Sequence, residues 1–304
     1  MALLAVLASV SFLLVQAAST PDGKAAPSSG YVPERVYDTQ RKAFVDFEVM
    51  LADISAADVV FVGEQHDDSN THRLEAAVLE GLKRRQRTPA VSLEMFERDV
   101  QAGLDAYLAG NAAEEEMLKS ARPWPRYQTD YRPLVELAKA EGWTVVASNV
   151  PRRIASAVAK AGKEAIADLP AADRPFVARD LECPLDDYFD RFAKSMGNHP
   201  APDQKPEEQR TMTERYYWSQ CLKDETMAES IAATVERRRA SGPVVHYNGA
   251  FHSDFGLGTA ERTRRRLAGR RVVVLSMLPV ENLDVLNPSD DDLLRADYLV
   301  YTVR

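Results

Sequence analysis

Short apolar runs with few polar interruptions recur along this chain, separated by stretches with helical periodicity. Such runs are typical of strands that are buried on both faces, as in the centre of a parallel sheet. Strands joined by helices of this length form β-α-β units, whose helices cover both faces of the sheet. The pattern therefore predicts an α/β fold with a parallel sheet flanked by helices. The predicted strands are 59–62, 90–96, 143–149, the first part of 243–252, 271–278 and 296–303.

Residues 163–241 depart from this alternation, because no strand pattern occurs in them. We therefore predict a small all-helical insertion at 163–241, within an α/β domain made of residues 35–162 and 242–304. The helical patterns of the insertion lie at 164–169, 173–180, 185–196 and 207–239.

Composition limits the classes of partner. The chain has 304 residues, of which 45% are hydrophobic, so it can bury a sizeable core. Its formal net charge of −8 and its pI near 5.3 argue against nucleic acid as a partner. The acidic balance by itself does not identify a substrate.

The N-terminal segment has the composition of a secretory signal. Residues 3–15 are almost entirely apolar, and small residues follow at 17–19. The apolar run is shorter than the roughly 20 residues of a membrane span, which favours export over anchoring. No Cys directly follows the run, so a lipid-modified Cys is not expected there. We predict a signal peptide at 1–19, a flexible lead-in at 20–34 and an exported protein, either periplasmic or secreted.

Cys183 and Cys221 are the only two cysteines of the chain. In an oxidising compartment such a pair can form a disulfide, whereas two thiols are too few for a zinc site. The sequence leaves two alternatives open, a disulfide and two unpaired thiols.

Residues capable of acid–base or ligand chemistry stand where several predicted strands end. In an open α/β sheet, ligands bind outside the carboxyl ends of the strands. The pattern Gly-x-x-His occurs there twice, as GEQH ending at His66 and as GAFH ending at His252. Glycine permits a tight turn and a close approach of the backbone at both positions. We therefore predict one shared edge of the sheet for Glu64, His66, Glu94, Asn149, Arg152 and His252.

Five segments carry a family resemblance: VVFVGEQHDDSNTH, VSLEMFERDVQAGLDAYL, YRPLVELAKAEGWTVVASNVPR, DETMAESIA and NGAFHSDFG. They resemble the ChaN-type haem-binding uptake branch of the Tiki superfamily, from about Asp58 to the C-terminus. The resemblance implies a Rossmann-like α/β domain with a small helical domain, haem binding and a role in iron acquisition. The chain departs from some of these proteins in lacking a lipobox Cys. It also has Ala250-Phe251 where familiar versions have a polar residue, often followed by glycine.

In the haem interpretation, the porphyrin lies between the sheet and the helical insertion, against aromatic and apolar walls. A phenolate is an anionic ligand for ferric iron, so Tyr131 is a candidate axial ligand, with a histidine as the alternative. Arg or His side chains would bind the propionates. A homodimer and contact with transport machinery at the membrane are compatible with this interpretation. The residues expected to bind haem are His66, Tyr131, Asn149, Arg152, Met227 and His252.

The alternative is a metal-dependent hydrolase of peptides or esters, because related members of the superfamily include such enzymes. Glu64, His66, Glu94 and His252 would hold a divalent metal or supply a general base. Two imidazoles with carboxylates suit zinc, manganese or iron, and the spacing does not choose among these metals.

Overall fold

The computed structural model of the protein describes residues 32–197, 206–238 and 242–304. The predicted signal peptide and most of the predicted lead-in lie outside the described residues. Within the described part of the chain, no helix is both long enough and apolar enough to span a membrane.

Eight strands form one sheet, and the predicted parallel sheet is confirmed. The strands run in the order β2-β1-β8-β7-β3-β6-β4-β5. Within the group β3 to β8, all neighbouring strands are parallel. Only β1 is antiparallel, to both β2 and β8. The strands are β1 (Glu34–Asp38), β2 (Ala43–Val45), β3 (Val59–Glu64), β4 (Ala90–Glu97), β5 (Val145–Asn149), β6 (Val244–Gly249), β7 (Val272–Val280) and β8 (Tyr298–Val303).

The antiparallel pair β1 and β2 is absent from the strands predicted from the sequence. β2 has only three residues and is largely exposed, so it lacks the apolar run of a buried parallel strand. In β1 only alternate residues are buried, among them Val36, which pairs with Val300 of β8. These two strands extend the sheet on the side away from β4 and β5.

Helices cover both faces of the sheet. Alternate residues of β3 show this, because Val60 and Val62 belong to one apolar cluster and Val59 and Phe61 to another. The first cluster includes α1, α2 and α6, and the second includes α10 and α11. The helices are α1 (Phe47–Ile54), α2 (Ser69–Arg84), α3 (Gln101–Leu108), α4 (Glu114–Ala121), α5 (Tyr127–Asp130), α6 (Arg132–Glu141), α7 (Arg152–Ala161), α8 (Glu164–Ala167), α9 (Asp187–Gly197), α10 (Pro206–Arg237), α11 (Gly258–Arg266) and α12 (Asp290–Arg295).

Between β5 and β6, the described residues form helices and connecting segments but no strand. The helix predicted at 173–180 is instead a single 3-10 turn, Arg174–Phe176. The backbone that follows donates its N–H groups to side chains of α10: Ala178 to Thr226, and Arg179 to Glu229. Because these donors are taken by α10, the segment continues as an extended strap along that helix.

A disulfide joins this strap to α10. Cys183 and Cys221 are bonded, with their Cα atoms 5.8 Å apart. The two alternatives that the sequence left open are therefore decided in favour of the disulfide. The bond fixes the segment that leads directly into α9.

Candidate functional site

The two Gly-x-x-His segments leave the sheet side by side. Strands β3 and β6 are parallel neighbours, and Glu64 pairs with Gly249 in their register. His66 and His252 consequently lie at the same carboxyl edge of the sheet. A Cβ atom on Gly249 would lie 2.6 Å from Nε2 of His66, so glycine there lets the imidazole lie against the backbone of the second loop.

His252 is held between two carboxylates. Its Nδ1 lies 2.6 Å from Oδ1 of Asp224, and its Nε2 lies 3.3 Å from Oε1 of Glu94. Glu94 also accepts the N–H of Gly249 at 2.8 Å. The register between β4 and β5 shifts after Leu93, and this irregularity lies where Glu94 meets the site. His252 is thus the partner that a carboxylate inside an apolar strand requires.

The electrostatics of this group favour a cationic imidazole. Burial opposes protonation of His252, but the charges of Glu94 and Asp224 outweigh it and raise the pKa of His252 to about 10. Burial likewise opposes ionisation of Glu94, yet the charge of His252 lowers the Glu94 pKa far below its usual range. Each carboxylate can only accept, so both ring nitrogens donate and His252 is an imidazolium at neutral pH.

His66 has a different environment. Its Nδ1 lies 2.5 Å from Oε1 of Glu64, and its side chain is 46% exposed, against 7% for His252. Burial lowers the pKa of His66, but the hydrogen bond to Glu64 and the charge of Glu94 raise it above its usual value. The indole of Trp124 packs edge-on against the imidazole, with ring centroids 5.1 Å apart. The contact with Glu64 therefore fixes the orientation of the His66 ring, and the rest of the ring is exposed.

Tyr131 is buried beneath Glu64 and is not accessible to a ligand in solution. Its hydroxyl donates a 2.8 Å hydrogen bond to Oε1 of Glu64, and its ring is buried. Burial and the Glu64 charge raise the pKa of Tyr131 far above its usual value. The structure thus keeps this phenol protonated. Tyr131 does not line the cavity that opens above Glu64 and His66.

A cavity of about 690 Å³ opens over this edge of the sheet. His66, Glu64 and His252 form its floor, and α9 contributes one wall. Much of the remaining lining combines aromatic rings with cations. These residues are Tyr188, Phe192, Phe251 and Phe255, with Arg191, Lys194 and Arg295.

Phe255 is held in the cavity wall in an uncommon backbone conformation. Its φ of +62° lies in the left-handed region, which is unfavourable for a bulky residue. The guanidinium of Arg191 lies 3.4 Å from the centre of its ring, and that of Arg295 lies 5.1 Å away. These cation–π contacts and the ion pair of Arg295 with Asp254 at 2.8 Å stabilise the arrangement.

The family model described as "haem-binding uptake, Tiki superfamily, ChaN" matches residues 50–263. The chain belongs to this family. A comparison with curated proteins finds no match. The chain's fold is similar to a solved structure described as cofacial heme binding to ChaN of Campylobacter jejuni. The TM-score is 0.66 at 16% identity, with 89% of this chain and 97% of that chain covered.

Two further solved structures are more distant. An erythromycin esterase, EreC, in its open conformation is 13% identical, with 90% of this chain and 83% of that chain covered and a TM-score of 0.47. A toxin effector domain from Vibrio vulnificus is 16% identical, with 86% and 38% covered and a TM-score of 0.41.

In this ChaN-family chain, four of the six predicted haem contacts lie outside the cavity: Tyr131, described above, and Asn149, Arg152 and Met227. Asn149 donates to the carbonyl of Glu94 and accepts the N–H of Val150, so it fixes the end of β5. Arg152 lies on a separate part of the surface, beside Glu97 and Asp99. Met227 is fully buried within α10. The structure therefore brings Glu64, His66, Glu94 and His252 together but brings none of these four residues to the cavity wall.

The sequence pattern did not identify several residues of the site in this ChaN-family chain. Asp224 lies in the segment DETMA, from which the sequence analysis selected Met227. A carboxylate in the middle of an otherwise apolar helix face is a signal for a buried partner, and that partner is His252. The segment DYFDRFAKS of α9 combines aromatic and basic residues on one helix. It supplies Tyr188, Arg191, Phe192 and Lys194 to the wall.

Proposed function

We propose that this protein is exported and binds haem in the cavity at the carboxyl edge of its sheet, as part of haem uptake. The observation that carries the proposal is the composition of that cavity, which combines an open imidazole, aromatic walls and basic side chains. The family match favours haem over the hydrolase alternative.

The size and lining of the cavity fit a porphyrin. A volume of about 690 Å³ lies within the usual range of small-molecule sites, roughly 300–1,000 Å³. The faces of a porphyrin are apolar, and the rings of Phe192, Phe251 and Phe255 offer them a matching surface. A haem carries two propionates, which require cations at the rim.

His66 is the residue best placed to ligate the iron. Glu64 accepts the proton of Nδ1, so the lone pair of a neutral His66 is on Nε2. A carboxylate behind an imidazole orients the ring and increases its basicity as a ligand. Tyr131 remains the sequence-based candidate, but it is buried and its hydroxyl is engaged by Glu64.

Lys194 and Arg191 are the proposed partners of the propionates. Lys194 is exposed and forms no ion pair with another described residue. Arg191 has one longer contact, 3.7 Å to Asp291. Arg295 is less available, because Asp254 and Asp292 already hold it at 2.8 and 3.3 Å.

A hemin titration of the purified mature protein tests the proposal. We expect a Soret shift that saturates near stoichiometric haem. Replacing Arg191 and Lys194 together by Ala should weaken binding, whereas Lys119→Ala on the distant helix α4 should not. No Soret shift, or an equal affinity in the double variant and the control, would count against the proposed cavity.

Export and delivery form the second part of the proposal. The apolar segment at 3–15 supports a signal peptide, and the Cys183–Cys221 disulfide suits an oxidising compartment. We propose that the mature chain begins near Ala18 and passes haem to transport machinery at the membrane. N-terminal sequencing of exported protein tests the cleavage, and an intact Met1 on membrane-bound protein contradicts it. Sedimentation with and without hemin tests for a homodimer.

A further inference from the structure

Behind the floor of the cavity, Glu64 meets two residues of α2. His72 and Glu75 are three residues apart in HRLE, so they share one face of that helix. Nδ1 of His72 lies 3.0 Å from Oε2 of Glu75 and 3.5 Å from Oε2 of Glu64. One ligand atom from each of the three residues lies within 4.8 Å of the others, and all three side chains are buried.

The opposite nitrogen of His72 fixes its tautomer. Nε2 lies 3.2 Å from the carbonyl oxygen of His66 and 3.4 Å from Oδ2 of Asp130. Both oxygens accept, so Nε2 carries the hydrogen. In the neutral ring, Nδ1 then presents a lone pair to the oxygens of Glu64 and Glu75. Burial and the charge of Glu64 raise the pKa of Glu75 well above its usual value, so either a proton on Glu75 or a bound cation satisfies these lone pairs.

The neighbouring cation does not satisfy these lone pairs. The Nε atom of Arg126 lies 2.8 Å from Oδ2 of Asp130, on the far side of His72. Oε2 of Glu64 and Oε1 of Glu75 are buried, and apart from a proton shared between these two carboxyl groups no described donor reaches them. Burying unpaired acceptors of this kind is costly, which makes them a second, independent indication of a ligand.

We propose that Glu64, His72 and Glu75 form a binding site for a divalent first-row transition-metal cation, such as Zn²⁺ or Mn²⁺. Two atoms that each lie about 2.1 Å from one ion can be at most about 4.2 Å apart. The 3.0 and 3.5 Å separations at His72 fall within that limit. Two carboxylates with one imidazole suit these metals. The carbonyl of His66 holds the Nε2 hydrogen, as the outer partners of metal-bound histidines do.

The site differs from the metal alternative considered for the cavity. Of the four residues of that alternative, only Glu64 belongs to it, and Glu64 uses its second oxygen here. The proposal does not depend on haem binding, and its test contains no haem.

The experiment is equilibrium dialysis of the full mature chain, stripped with EDTA, against Zn²⁺ and, separately, Mn²⁺. Bound metal is measured by elemental analysis, and the melting temperature is measured on the same samples. We expect about one ion of at least one of these metals per chain and a raised melting temperature, because an ion that binds only the folded state stabilises it. Glu75→Gln should weaken binding by at least about tenfold.

Comparing two variants, Glu75→Gln as the test and Glu94→Gln as the control, distinguishes the possible outcomes. The Gln amide of Glu75→Gln can donate to Nδ1 of His72, so this variant should fold without the ion and its metal affinity can be measured. Glu94→Gln alters the cavity but leaves the three ligands in place, so it should retain the ion. Loss of the ion in Glu94→Gln but not in Glu75→Gln would move the metal to the cavity. No stoichiometric ion of either kind would mean that the cluster holds only a shared proton, and either result overturns the proposal.

Discussion

The two Gly-x-x-His segments have the same pattern and end at neighbouring strands, yet their histidines differ. His66 contacts one carboxylate, Glu64, and remains half exposed. His252 is buried between Glu94 and Asp224. One imidazole is oriented for a ligand, and the other is a buried cation that joins β4 to α10.

The source of the difference is a third element. Asp224 comes from α10 and also accepts hydrogen bonds from Tyr188 and Thr259, each at 2.8 Å. No equivalent acid of α10 approaches His66 among the described residues. A sequence motif therefore places an imidazole at the sheet edge, while the packing of the long helix decides whether that imidazole is free or paired.

The largest expected effect is on stability, when the partner of His252 loses its charge. Asp224→Asn leaves a buried imidazolium with one carboxylate, and breaking such a pair costs about 3–5 kcal/mol in the free energy of unfolding. Urea denaturation measures it. The control is Asp173→Asn, which breaks a half-exposed pair with Arg153 and should cost at most about 1 kcal/mol. Equal losses in the two variants would mean that His252 is not a buried imidazolium paired with Asp224 and Glu94.

The next effect is the pH dependence of stability. The pKa of His252 is about 10 in the folded state, against about 6.5 when unfolded. Its stabilising contribution is full below about pH 6.5 and is lost as pH rises to about 10, with a slope approaching 1.4 kcal/mol per pH unit. Denaturation between about pH 7 and 9.5 measures this slope. His252→Gln should flatten the curve, and a curve as steep as that of the wild type would contradict the assignment.

A third prediction concerns the other histidine. His66→Ala removes the proposed iron ligand, so the Soret band should change and hemin affinity should fall by at least about tenfold, or about 1.4 kcal/mol. Tyr131→Phe keeps the buried ring and should preserve the Soret band. The reverse outcome, a spectrum lost in Tyr131→Phe but kept in His66→Ala, would make Tyr131 the axial ligand.

The smallest effect comes from the close approach between the two segments. In Gly249→Ala, the new methyl group would overlap Nε2 of His66 at 2.6 Å, so the imidazole must move. Because His66 is half exposed, its ring can move at little cost to stability, but it loses its orientation and we expect hemin affinity to fall by about tenfold. Gly197→Ala on α9 is the control, because its methyl group would meet no atom within 4 Å. Unchanged hemin affinity in Gly249→Ala would show that the position of His66 is unimportant.

Much of the fold was predictable because buried parallel strands have a strong local signal. The runs at 59–62 and 271–278 are strands in the structure, as predicted. Strands β1 and β2 were missed, since an edge strand that is half exposed lacks an apolar run. The helix predicted at 173–180 failed because side chains of α10 took the backbone donors that a helix would use.

The sequence alone determined the parallel α/β sheet, the helices between β5 and β6 and the convergence of Glu64, His66, Glu94 and His252 at one edge. Those features follow from hydrophobic period and chain order, which are local properties. The partners of these residues follow from the packing in three dimensions: Asp224 contacts His252, Glu64 contacts Tyr131, and α9 forms a wall of the cavity. These contacts join residues that are far apart along the chain. Their formation depends on how α6, α9 and α10 pack over the sheet, and no local pattern specifies that packing.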